Sequence, residues 1–345
     1  MSDPAHEATD AIIKEIEKRL TKEYQQAIDE LEKKIAEYTK AFATKDKIWQ
    51  KWVEEGKKTQ EEYTQWKIGQ LAIGERWEQL KETLAEDMAN ANEIAHSTVE
   101  GYMPKVYAIN HDYGVYEVET GLALDTSYTL YSREAAEAIL RGTTFYHGPG
   151  KKVRMEKAVQ WNKTQVESVM LQSIYQGESI PKIATRLANE VGETNRKAAI
   201  RNARTMATAV QNKGRVDSYI RAQNMGIGLE QMWVATLDNR TRHSHRMLDG
   251  ESQPVGGTFS NGCRYPGDPQ GPAKEVWNCR CTLIANLEGF EHDLTDLSLR
   301  NTNHMEGMSY EEWREGKAES RPIDYQDKAA ESFRKWYTLE YMGKI

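Results

Sequence analysis

The residues best suited to chemistry lie between positions 233 and 284, which hold all three cysteines and two of the eight histidines. Cys279 and Cys281 are two positions apart in a segment typical of a strand, so both thiols would face one side. Two thiolates can hold zinc if other ligands complete a tetrahedral set, and the candidates are His243, His245 and Cys263. Together Cys263, His245, Cys279 and Cys281 would make a Cys3His set. Because the spacing lacks the gap of a zinc knuckle, buried structural cysteines are the favoured interpretation, and redox chemistry would need an exposed thiolate. We therefore expect no cofactor, with zinc as the alternative.

A second candidate set combines two carboxylates, a guanidinium and an imidazole: Asp238, Arg242, His245 and Asp249. Such groups can act as a general base and an anion clamp. Structural uses compete with this hypothesis, since residues 238–241 are typical of an Asx turn or helix cap, and Asp249-Gly250 is typical of a turn. The sequence has no glycine-rich phosphate loop, nucleophile elbow or His-Glu-x-x-His motif. We assign no catalytic residue and expect a protein that is not an enzyme.

A long helical arm is predicted to precede these residues. Apolar side chains recur every three or four positions over residues 12–42, which is the stripe of an amphipathic helix. Thr59 and Glu62 have the spacing of a capping box, and a second stripe follows over residues 63–88. Residues 1–98 are therefore predicted to form a long amphipathic arm or hairpin.

The middle of the chain is predicted to change from strands back to helices. Short β-branched or aromatic runs at 106–109, 114–118 and 128–131 predict mixed short strands and loops over residues 99–160. Helical patterns then cover residues 166–174, ending at Gly177, residues 180–191, ending at Gly192, and residues from Thr194 to Ala222.

The C-terminal third is predicted to combine the motif region with further helices. Strand and loop patterns follow Gly226, Ser309 and Glu312 mark a short helix, and a last amphipathic stretch runs from Phe333 to Tyr341. The predicted fold class is α+β, mainly α-helical, with a helical arm, a helical middle and a small strand- and loop-rich motif region. The predicted regions are an arm at 1–98, strands and loops at 99–160, a motif domain at 161–290 and a helical extension at 291–345.

Composition excludes several classes of function. A net charge of −7 and a pI near 5.8 argue against a dedicated nucleic-acid coat, since phosphate binding requires concentrated cations. The cations over residues 201–221 predict a solvated helical face, with contact to DNA or a portal as the alternative. We find no secretion signal and no membrane span, and three clustered cysteines favour synthesis in a reducing cytoplasm.

The ordered motif residues resemble those of the phage Mu F-like head-morphogenesis family, the minor capsid proteins of tailed bacteriophages. The resemblance covers about residues 160–286. The matching positions are Ala203, Arg204, Thr205, Trp233, Asp238, Arg240, Thr241, Arg242, His245, Asp249, Gly250, Pro266, Gly267, Asp268, Pro269, Asn278, Cys279, Arg280 and Cys281. Among the metal candidates, His245, Cys279 and Cys281 belong to this pattern, whereas His243 and Cys263 do not.

The resemblance implies a minor head protein made in the infected bacterial cytoplasm and incorporated into the virion, in the capsid interior or at the portal vertex. Its expected partners are the phage portal protein, scaffold or major capsid protein, and DNA during packaging or ejection. The helical arm is a reasonable docking element for such an assembly. The alternative is an enzyme, either a toxin-like transferase or a metal-dependent hydrolase, that uses His245 with Asp238 or Asp249.

Overall fold

The described part of the chain is mainly α-helical and contains one three-stranded antiparallel sheet, which confirms the predicted α+β class. A computed structural model describes residues 3–122, 126, 128–141, 150–287 and 309–319. Two compact units form from segments that are distant in sequence. The first unit takes in the described residues of Met1–Glu15, Val99–Gly148 and Arg201–Ile345, and the second takes in those of Ile16–Thr98 and Pro149–Ile200.

Most of the regular structure in the described residues is helical. They are α1 (Pro4–Lys40), α2 (Ala43–Glu54), α3 (Gln60–Leu71), α4 (Glu75–Gly121), α5 (Arg133–Arg141), α6 (Lys151–Tyr175), α7 (Ile180–Asn224), β1 (Leu229–Val234), α8 (His243–Met247), β2 (Ser252–Pro254), α9 (Ala273–Val276), β3 (Thr282–Leu287) and α10 (Tyr310–Glu319). None of these helices has the length and apolar character needed to span a bilayer.

The N-terminal arm contains four helices rather than the predicted two. Helix α1 confirms the first apolar stripe, and the Thr59–Glu62 capping box at the start of α3 has both of its hydrogen bonds. The second stripe was predicted as one helix, and it is divided between α3 and α4. The division falls at Gly74, whose φ of 100° is incompatible with a continuing helix.

A chain of polar side chains links four helices inside the second unit. The Tyr24 hydroxyl on α1 donates to Asn92 on α4 at 2.5 Å, and the Asn92 amide donates to Asn195 on α7 at 2.7 Å. Asn195 in turn donates to Asn162 on α6 at 2.8 Å. Since each of these helices contributes one polar group, a shift in the register of any helix would leave buried groups without partners.

The prediction of short strands over residues 99–160 is wrong for its first two runs. Residues 106–109 and 114–118 lie within α4, and residues 128–131 have no regular structure. Residues 106–109 are all at most 1% exposed. This part of α4 is therefore apolar on every side, and a continuous apolar run does not distinguish a buried helix from a buried strand.

Helix α7 passes through two glycines, although Gly192 was predicted to end a helix. A Cβ atom at Gly192 would overlap the buried side chain of Ile28 on α1, within the second unit. Within the first unit, a Cβ at Gly214 would lie 2.7 Å from the backbone oxygen of Tyr107 on α4. Both glycines therefore permit close helix packing.

The sheet lies in the first unit with the strand order β2-β1-β3. Strand β1 pairs antiparallel to both neighbours, with Trp233 opposite Leu283 and Gln231 opposite Gln253. Trp233 is fully buried in an apolar cluster that also contains all three cysteines. The cluster thereby joins the sheet to the loops that carry the motif residues.

Residues 309–319 close the described part of the chain. Ser309 and Glu312 form both hydrogen bonds of the predicted capping box at the start of α10. The amphipathic stretch predicted from Phe333 to Tyr341 lies outside the described residues, as does most of the predicted extension over 291–345.

Candidate functional site

Three motif residues converge at the edge of the sheet. The Nδ1 atom of His245, on α8, lies 3.6 Å from the sulfur of Cys279 and 3.4 Å from the sulfur of Cys281. The three potential ligand atoms all lie within 4.8 Å of one another, and each residue is at most 2% exposed. The structure thus places an imidazole nitrogen against two thiols in a site closed to solvent.

The other nitrogen of His245 faces a carboxylate. Its Nε2 atom lies 3.1 Å from Oε2 of Glu275 on α9, and the Ser244 hydroxyl donates to the same oxygen at 2.8 Å. The ring also packs edge-on against Trp233, with centroids 5.4 Å apart. Sequence reasoning missed Glu275, because nothing in its local pattern connects it to a histidine thirty positions earlier.

The thiols of the cluster have unequal acidity. Burial raises the pKa of Cys279, whereas the hydrogen bond from the Cys279 thiol lowers the pKa of Cys281. The third cysteine, Cys263, is equally buried, and burial raises its pKa to about 12. Cys263 is not a member of the three-residue group, so the arrangement differs from the Cys3His set considered from the sequence.

The two clustered cysteines precede strand β3 and do not lie in it as predicted. Asn278, the second residue after α9, adopts a left-handed conformation with φ of 55°, and regular pairing begins at Thr282. The turn interrupts the strand that the apolar pattern suggests, since a left-handed residue cannot continue an extended ladder. Burial still alternates, because Arg280 is partly exposed between two buried cysteines.

One polar face of α7 holds the backbone around these cysteines. Thr205 accepts a hydrogen bond from the Asn278 amide at 3.1 Å, and the Thr208 hydroxyl donates to the Cys279 carbonyl at 2.7 Å. Asn212 donates to the Cys281 carbonyl at 3.2 Å and accepts from the Leu283 amide at 3.0 Å. These contacts fix the path of the chain through the cysteines.

Thr208 and Asn212 were not among the predicted site residues. The available signal was their spacing, because positions 205, 208 and 212 place three polar side chains on one face of a helix. Arg204 lies beside them on α7 and is partly buried. The predicted pair Arg204 and Thr205 is thus followed on α7 by two further residues that hold the cysteine backbone. We call the hydrogen bonds that Thr205, Thr208 and Asn212 form with this backbone the brace.

Asp238 organises the loop between β1 and α8. Its carboxylate accepts from the Arg240 amide at 2.9 Å in an Asx turn, and it forms a bidentate pair with Arg280 at 2.5 and 2.7 Å. The Thr241 hydroxyl also bonds to Asp238 at 3.1 Å. These hydrogen bonds, that from Arg280 above all, hold the pKa of Asp238 far below its ordinary value. Arg242, the arginine of the second candidate set, donates to the Trp277 carbonyl.

Asp249 and Gly250 turn the chain back toward β1. The Asp249 carboxylate accepts from the Ala235 amide at 2.8 Å, and the Gly250 amide donates to the Trp233 carbonyl at 2.8 Å. Gly250 has φ of 81°, which a side chain would disfavour. Neither Asp238 nor Asp249 is the carboxylate next to His245, since Glu275 takes that position.

The Pro266–Pro269 loop is largely buried and packs on α7. Asp268 is 1% exposed and forms a bidentate pair with Arg264 at 2.6 and 2.8 Å. Although burial opposes ionisation, bonds from Arg264 and from backbone amides lower the pKa of Asp268. A Cβ at Gly267 would lie 2.9 Å from the Ala209 nitrogen, so glycine allows this close approach. Pro266 contributes its carbonyl, which accepts from Asn212 at 3.2 Å.

The protein is mainly helical, and its motif residues form hydrogen bonds and ion pairs with one another that hold a compact, loop-rich region in place. Residues 164–284 match the model of the family described as Phage Mu protein F like protein. These residues include every motif position from Arg204 to Cys281. No solved structure matches the chain significantly.

Three curated proteins are similar to parts or most of the chain. Minor head protein GP7 of Bacillus phage SPP1 is 25% identical over 90% of this chain and 96% of its own length. A protein named NAD(+)--arginine ADP-ribosyltransferase EFV, from Enterococcus faecalis, is 34% identical over 43% of this chain, which spans 30% of that relative's length. An uncharacterized protein of Haemophilus influenzae is 24% identical over 57% of this chain and 40% of its own length.

Proposed function

We propose that the protein is a minor head protein of a tailed bacteriophage and that it acts structurally in head assembly. The observation that carries the proposal is the similarity to Minor head protein GP7, which extends over 96% of that relative's length. Because the match covers 90% of this chain, it takes in most of the N-terminal helices as well as the motif region. The match to the Phage Mu protein F like family over residues 164–284 supports the same function.

The chemistry of the motif favours a structural over a catalytic function. Asp238 is bound to Arg280, Asp268 to Arg264, and His245 lies in a buried cluster. A catalytic base or anion clamp requires a group that a substrate can reach. The transferase named among the relatives is matched over only 30% of its length, so its activity is not part of this proposal.

Within the head, the protein is proposed to enter the assembling procapsid near the portal, through contact with the portal, scaffold or major capsid protein. Co-expression of the full chain with the portal protein of the same phage tests the portal contact. Size exclusion followed by mass spectrometry should recover both proteins in one complex. If both proteins are folded and elute separately, at several protein concentrations, direct portal binding is wrong and scaffold or shell must recruit the protein.

Contact with DNA during packaging or ejection is a further part of the proposal. Exposed cations surround the motif, because Arg240 and Arg246 both contact Asp238 and Arg201 lies 5.6 Å from the ring of Trp277. Binding of the full chain to duplex DNA should weaken steeply between low and physiological salt. Replacement of Arg240 or Arg246 by glutamine should make this salt dependence less steep. The control variant is Lys163→Gln on α6, far along the chain from these cations, which should leave the salt dependence unchanged. Absence of binding even at low salt would contradict DNA contact and leave the head-protein proposal intact.

A further inference from the structure

The buried cluster of His245, Cys279 and Cys281 has the dimensions of a metal site. With Zn–S bonds of about 2.3 Å and Zn–N bonds of about 2.0–2.1 Å, tetrahedral coordination separates the nitrogen from each sulfur by about 3.5–3.6 Å. The observed separations from Nδ1 are 3.4 and 3.6 Å. Both separations match those expected for ligands of one zinc ion.

The surroundings of His245 fit a ligand that is held in place for a metal. Glu275 lies 3.1 Å from Nε2 in a contact that does not meet hydrogen-bond geometry, and the negative charge of its carboxylate favours the tautomer with its proton on Nε2. Nδ1 is then left with a lone pair directed at the two sulfurs. The Ser244 hydroxyl bonds to Glu275 at 2.8 Å and fixes the carboxylate.

The position of the cluster in the fold gives the metal a structural role. Residues 235–281 join β1 to β3 with only α8, α9 and the three-residue β2 as regular structure. His245 comes from the start of this segment, and both cysteines come from its end. The pairing of β1 with β3 already holds the two ends of this segment together, and a metal at the cluster would in addition fix α8 to the residues that precede β3.

We propose that His245, Cys279 and Cys281 bind one zinc ion that fixes α8 to the residues preceding β3. Two thiolates balance the charge of the divalent ion, and the three side chains supply three of the four positions of a tetrahedral site. Zinc fits this set better than magnesium or calcium, because thiolates and imidazole are soft ligands whereas those ions prefer oxygen. Burial of all three residues excludes substrate from the site, so the zinc stabilises the fold and performs no hydrolysis.

Metal analysis of the full chain, purified without chelators, tests the proposal. One zinc per chain is expected, and replacement by cobalt should give thiolate-to-cobalt charge-transfer bands in the near ultraviolet. If zinc is absent after reconstitution of the folded protein and cobalt gives no such bands, the proposal is overturned. These measurements use the unaltered chain and do not depend on whether a variant folds.

Variants then assign the ligands. Cys279→Ser and Cys281→Ser should each lose most of the zinc, whereas Cys263→Ser is the matched control, an equally buried thiol of the same apolar cluster that should keep it. Glu275→Gln should weaken zinc affinity about 10–100-fold in a chelator competition. Loss of zinc from a folded Cys263→Ser variant, or full retention of zinc in both other cysteine variants, would contradict the assignment.

Discussion

Replacement of Asn212 by alanine should be among the most destabilising single changes in the motif region. Asn212 is fully buried on α7, where it donates to the carbonyls of Pro266 and Cys281 and accepts from the Leu283 amide. Alanine at this position leaves the Leu283 amide and the carbonyls of Pro266 and Cys281 without the Asn212 side chain as a partner, in a site closed to water. With about 1–3 kcal/mol for the unpaired amide and about 1 kcal/mol for each carbonyl, the free energy of unfolding should fall by about 3–5 kcal/mol.

Urea unfolding of the full chain, followed by circular dichroism, measures this loss. The matched control is Asn189→Ala on the same helix, an exposed asparagine whose amide donates only to the Thr185 carbonyl one turn away. Alanine is the better helix former by roughly 0.5 kcal/mol, so the control should be neutral or slightly stabilising. If Asn212→Ala and Asn189→Ala change the midpoint equally, the brace between α7 and the cysteine loop does not stabilise the protein as argued.

Three further changes test other buried contacts in the two units. Gly192→Ala should destabilise the protein by about 1–3 kcal/mol in urea, because the new Cβ overlaps Ile28. Arg215→Ala should lower the free energy of unfolding by about 3–5 kcal/mol, since it leaves Asp3 buried without the guanidinium that lies 2.5 Å away. Burial raises the pKa of Glu117 from 4.5 to about 8, so the folded state loses stability as the pH rises through this interval. Glu117→Gln should therefore gain thermal stability over the parent as the pH rises from about 4.5 to about 8, and a constant difference would contradict the raised pKa.

Local signals predicted helix starts well and helix ends less well. The capping boxes at Thr59 and Ser309 are confirmed, because a cap depends on residues three positions apart. Gly192 was misinterpreted, because its purpose is contact with a helix more than a hundred residues away in sequence. A glycine that permits helix packing and a glycine that ends a helix look alike until the neighbour is known.

The sequence analysis grouped the three residues of the buried cluster but did not predict their geometry. The order of motif residues placed His245, Cys279 and Cys281 in one set, and the structure brings their side chains together. Spacing did not reveal that Asn278 turns the chain before β3, nor that Glu275 is the carboxylate beside the imidazole. Both depend on how a loop folds onto α7, and no local pattern encodes that contact.

The most direct test of the head-protein proposal is mass spectrometry of heads purified from cells infected with the phage that encodes this chain. The proposal predicts that the protein is found in procapsids and in mature heads, at few copies relative to the major capsid protein. If the chain is expressed during infection and is absent from both procapsids and mature heads, the protein is not a head component.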